Sequence, residues 1–156
     1  MIPSIVVESN LEAAERWYKL HHSPTEEIAI RIQHLDSIDS QPVIIESGDA
    51  FWEEAVTKSF PQAARESQHA SLLKAAVSSS RKSNKWVVYV DAGAKGADIV
   101  SAKGGVPCYI GATHSGLTDS MLYDIVNAIH RDGLKPRDVS VHLMGCLLYT
   151  SDAADE

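Results

Sequence analysis

Three strand-patterned runs joined by very short glycine turns constrain this chain more than any other feature. Trp86–Ala92, Ala97–Ala102 and Val106–Ala112 are apolar and strand-length, and Gly93-Ala-Lys-Gly96 and Lys103-Gly-Gly105 connect them. A parallel pair needs a crossover of a dozen or more residues, so connections this short predict an antiparallel meander. Pro107 has no N–H to give a ladder, which places it at an edge or a strand start.

The rest of the chain alternates between the two regular periods. Ile2–Glu8, with Ile5, Val6 and Val7, reads as a short strand, and Ser9 with Glu12 forms a capping box for a helix over 10–22 carrying Leu11, Ala14 and Tyr18. Trp17 is assigned to the core. Ser23-Pro-Thr-Glu26 would start a helix, yet Ile28-Ala-Ile-Arg-Ile32 alternates strictly and is β-branched, so 27–35 is read as a strand turning through Asp36–Ser40 into Pro42–Glu46. Gly48-Asp49 caps a helix with Phe51/Trp52, Ala55/Val56 and Phe60, which Pro61 ends or kinks. A second helix, with Ala63, Ala70, Leu73 and Val77 as its stripe, runs to about Ser78, and Ser78–Asn84 is expected as a polar loop. Leu117, Met121, Ile125 and Ile129 mark a last helix stopped by Gly133 and Pro136, and Val139–Met144 is a strand. The fold class that follows is α+β: a mainly antiparallel sheet with three to four helices packed on it, in one domain over 1–145.

The segment Cys146-Leu-Leu-Tyr-Thr-Ser-Asp-Ala-Ala-Asp-Glu156 continues none of these patterns. It resembles the translation of a sequencing-library adaptor, as found at the ends of metagenomic reading frames. The resemblance implies a non-native tail over 146–156 and a natural chain that continues past about Gly145, the domain being C-terminally truncated; the alternative reading is a frayed native terminus.

Composition narrows the function classes. A chain of 156 residues can bury a core without metal or disulfide help. Its charge of −7 argues against a nucleic-acid backbone as partner, since duplex binding needs a lysine and arginine surface that releases counterions. The one basic cluster, Arg81-Lys82 with Lys85, is read as solvating a loop. No run is long and apolar enough for a membrane span and no signal peptide opens the chain, which makes the expected compartment cytoplasmic. Two cysteines, Cys108 and Cys146, make no zinc spacing, and Cys108 in phase with Val106 and Ile110 is expected to be a buried structural thiol.

Two stretches hold the candidate chemistry. Neither Gly93-Ala-Lys-Gly96 nor Lys103-Gly-Gly105 has the spacing of a P-loop or a dinucleotide fingerprint, and a hairpin turn alone calls for glycine. Asp91, however, ends an apolar strand just before one of these turns, and Lys95 lies within it. Gly111-Ala-Thr-His-Ser-Gly-Leu-Thr-Asp119 then joins a strand to a helix and gathers hydroxyls and an imidazole beside helix N–H groups, which favour anions. His114 is the expected acid–base group there. Against this, Ser115 and Thr118 are what a helix cap needs without any ligand, and Asp119 would repel an anion. The seven histidines show no metal spacing; His142 is placed on the strand side opposite Val139, Val141 and Leu143.

The expectation is a small-molecule binding domain or small enzyme, for a polar or anionic ligand that includes nucleotide-like ones. Its site would lie in the 91–96 and 111–119 loops: His114 and Asp91 catalytic, Lys95, Thr113, Ser115 and Thr118 ligand-binding, no metal, and a cofactor the sequence does not specify. The other class is a non-catalytic interaction module, a homo-oligomer pairing through a strand edge, with Trp17, Trp52 and Trp86 serving core or interface.

Overall fold

The structure, a computed structural model, describes residues 3–6, 11–22, 28–93, 96–113, 123, 126–127, 130 and 135–145. Three strands, β1 (Pro3–Val6), β2 (Ile28–His34) and β3 (Val43–Asp49), form an antiparallel sheet in the order β1-β3-β2. The β-branched alternation of Ile28–Ile32 thus prevails over the helix-start signal before it. β3 runs three residues past Glu46 because Ile28, Ala29 and Ile30 continue to pair with Asp49, Gly48 and Ser47. Tyr18 of α1 (Leu11–His22) is fully buried and packs with Val43 and Ile45 on one face of this sheet. Trp17, expected in the core, is 38% exposed and stacks on His21 with ring centroids 4.3 Å apart. Neighbouring helix positions are about 100° apart, so the face that buries Tyr18 turns Trp17 outward.

The second sheet contains the meander. β4 (Trp86–Gly93), β5 (Gly96–Lys103) and β6 (Val106–Thr113) pair antiparallel in sequence order, as the short turns require. β7 (Val139–Gly145) joins the other side of β4 in parallel, giving the order β6-β5-β4-β7. Pro107 lies near the start of the edge strand β6. A bulge between Ser101 and Ala102 pairs them with Tyr109 and Pro107 and leaves Cys108 as the extra residue. That bulge resets the in–out phase, which is why Cys108 is exposed rather than buried with Ile110.

Two helices lead into this sheet. α2 (Ala50–Ser59) starts on Asp49, whose side chain accepts from the Trp52 N–H at 2.9 Å. α3 (Gln68–Ser83) starts on the N-cap Ser67, so Ala63 lies outside it. The expected loop over Ser78–Asn84 is mostly helix. Ser80 and Ser83 bond back to the Val77 and Ser79 carbonyls, and Arg81 and Lys82 suit the negative end of the helix dipole. Asn84, at φ 52°, closes the helix in the left-handed region. Arg81 therefore sits on the helix, where it pairs with Asp39 at 2.8 Å.

The main core forms where both sheets meet α3. Leu35, Ile38 and Ile44 close on Ala70, Leu73, Ala76 and Val77, and these on Val100, Ala102 and Ile110. Val88, Val90, Ala92, Ala97 and Ile99 make a second cluster. Among the described residues no helix is long and apolar enough to cross a membrane. Of the expected last helix, Tyr123, Val126, Asn127 and His130 are described and helical; the expected tail, 146–156, lies outside the described residues.

Candidate functional site

The register of the second sheet places Asp91 directly opposite Asp98. Like charges so paired destabilise a sheet. Relief comes from α3, whose first turn reaches the ends of these strands: Gln68 Nε2 donates to Asp91 Oδ2 at 2.6 Å and to Asp98 Oδ2 at 3.4 Å. The next residue, His69, has Nε2 2.9 Å from Asp98 Oδ1 and Nδ1 2.8 Å from Glu46 Oε1.

The bridge continues into the first sheet. Arg31 stands opposite Glu46 in the β2–β3 register and contacts Glu46 Oε2 through Nη2 at 2.5 Å. Ser67 donates its hydroxyl to Glu46 Oε1, accepts from the His69 N–H at 3.1 Å, and its own N–H donates to Gln33 Oε1 at 2.8 Å. Glu46 and His69 are 2% and 5% exposed. Burial alone would hold the Glu46 carboxyl protonated, but hydrogen bonds from His69, Arg31 and Ser67 outweigh it and bring its pKa down to about 2. Burial would likewise lower His69; its hydrogen bonds to Asp98 and Glu46, with their charges, raise it to about 9. At neutral pH the ring is an imidazolium donating from both nitrogens.

A cleft of about 460 Å³ opens over this network, in the size range of small-molecule pockets. Arg31, Gln68, His69, Asp91, Gly93 and Asp98 line it, with Ala112 and Thr113. Thr113 Oγ1 accepts from the Ala97 N–H at 3.1 Å. No group of three or more His, Cys, Asp or Glu side chains that could hold a metal ion occurs among the described residues.

Of the residues singled out from sequence, the structure brings Asp91 and Thr113 together in one cleft. Lys95, His114, Ser115 and Thr118 lie outside the described residues, although Lys95 falls between Gly93 and Gly96 and His114 directly follows Thr113. His142 stacks on Tyr89 with ring centroids 4.6 Å apart. Sequence reasoning missed Glu46, Gln68, His69 and Asp98. One signal was available: Glu46 follows Val43-Ile-Ile45, and Asp98 precedes Ile99-Val100, each a carboxylate abutting an apolar run.

The family model described as "Protein of unknown function (DUF3822)" matches residues 4–155, and the chain belongs to that family. No curated protein matches it. A solved structure from Bacteroides thetaiotaomicron, described as a protein with an actin-like ATPase fold and unknown function, aligns over 94% of this chain with a TM-score of 0.84 at 19% identity. The chain spans 57% of the length of that structure, so the likeness concerns the fold of a part of it. A PilM–PilN type IV pilus biogenesis complex aligns over 86% of this chain and 44% of its own, with a TM-score of 0.49 at 18% identity.

Proposed function

We propose that this DUF3822 member binds a small polar ligand of the nucleotide class in the cleft over Asp91, Asp98 and the Gly93–Gly96 turn. The carrying observation is the like-charge pair Asp91–Asp98, register partners that both line the cleft and are held there by Gln68 and His69. A sheet selected for stability alone has no use for that pair. Two carboxylates at a cleft accept hydrogen bonds from ligand hydroxyl or amino groups. They repel a bare phosphate, so a phosphate would rest on the glycine turn, with countercharge from Arg31 and Lys95. A nucleotide carries both kinds of group. The likeness to an actin-like ATPase fold favours the same class by analogy of fold. In this reading His114 extends the site as an acid–base group, with Thr113, Ser115 and Thr118 as hydroxyl contacts.

A thermal-shift series with ATP, ADP, GTP, sugar phosphates and inorganic phosphate, each with and without magnesium, tests the reading. A ligand at about 100 times its Kd stabilises the native state by roughly 2.7 kcal/mol. For a domain of this size that raises the Tm by about 5–10 °C. Asp91→Asn removes a like-charge repulsion, so the fold should stand while the shift is lost. Silence from every probe, or a shift untouched by Asp91→Asn, overturns the proposal.

One observation favours the interaction-module reading. No residue of α2 is buried, and Phe51 and Trp52 are 79% and 66% exposed. Sedimentation of the wild type against Trp52→Ser would show whether this face associates.

A further inference from the structure

We infer that the Glu46–His69–Asp98 bridge is a positioning strut, which anchors the cleft carboxylates to the neighbouring three-stranded sheet and fixes where Asp98 and, through Gln68, Asp91 present themselves. The inference rests on the cleft being the ligand site, but its geometry stands without any ligand. Glu46 belongs to β3 of one sheet and Asp98 to β5 of the other. His69 on α3 spans them, with one nitrogen within 3 Å of each carboxylate. Its neighbour Gln68 carries the constraint onward to Asp91.

The charges are arranged for this role. His69 faces Glu46 from β3 and Asp98 from β5; Arg31 from β2 stands behind Glu46, and Asp91 from β4 lies beyond Gln68. A cation in the first turn of a helix opposes the helix dipole, and α3 has no acidic residue there to offset it. The two carboxylates from outside the helix supply the compensation. A neutral imidazole has one N–H, so deprotonation leaves one of the two carboxylates without its donor. The strut therefore slackens on a single proton loss, and Gln68, shared between Asp91 and Asp98, must readjust.

The test is an NMR pH titration of the ligand-free protein, following the His69 ring and the Gln68 side-chain amide. In the wild type both should move together, with one midpoint near 9. In Glu46→Gln the common midpoint should fall, by roughly one pH unit or more, since a charge partner is gone. His69→Gln should abolish the Gln68 titration; should that variant not fold, the wild-type and Glu46→Gln titrations decide. A Gln68 amide that ignores the His69 titration, or a midpoint unchanged in Glu46→Gln, overturns the strut. Because no ligand is present, that failure leaves the binding proposal intact, and a failure of ATP to bind leaves the strut intact.

Discussion

Glu46 and His69 show what a buried charge demands of its surroundings. Each would be expelled or neutralised alone; together, with Arg31, Ser67 and Asp98, they keep their charges in the interior. The sign of the resulting pH dependence follows from the direction of each shift. His69 rises from 6.5 to about 9, so its contribution is complete below pH 6.5 and is lost as pH climbs through about 9. Glu46 falls from 4.5 to about 2, so its contribution is complete above pH 4.5 and is lost as pH drops through about 2. Stability from this pair should accordingly be greatest between about pH 4.5 and 6.5 and decline on both sides. Denaturant unfolding across pH 3–10 measures it. His69→Ala, which leaves buried Glu46 short of its partner, should cost about 3–5 kcal/mol. It should also remove the decline between pH 6.5 and 9. A decline that persists in the variant belongs to other groups.

At the scale of elements, the sequence was most informative where local rules agreed. The meander over 86–113 follows from turn length alone, and Asp49 was visible as the cap of α2. Errors arose where a local pattern was overridden. The serines of 78–83 read as a loop because they compete with helix backbone bonds, yet here Ser80 and Ser83 bond back within the helix. The bulge at Ser101/Ala102 leaves no sequence mark, so the inward phase assigned to Cys108 was lost at that step. This has a direct consequence: Cys108 should react with a thiol reagent such as DTNB in the native state at close to the rate of the unfolded chain. Strong protection that only denaturant relieves would place the thiol in the core after all. The cleft was half legible. Asp91 and Thr113 were within reach because strand ends and strand-to-helix turns are where sites gather, whereas Gln68 and His69 meet Asp98 only through tertiary packing. Spacing in sequence does not show a pairing across 29 residues.

At the scale of the molecule, two sheets share one helix, and the cleft opens where the first turn of that helix meets the ends of the meander strands. The fold therefore brings together groups from β2, β4, β5, β6 and α3 without any one segment carrying a recognisable motif. The measurement that bears most directly on the binding proposal is a map of backbone amide shifts in the isotope-labelled protein on titration with ATP and magnesium. The account predicts saturable shifts concentrated on Gln68, Asp91, Gly93, Gly96–Asp98 and Ala112–Thr113, extending to Lys95 and His114. Shifts confined to α2 around Phe51 and Trp52, or none that saturate, would contradict it.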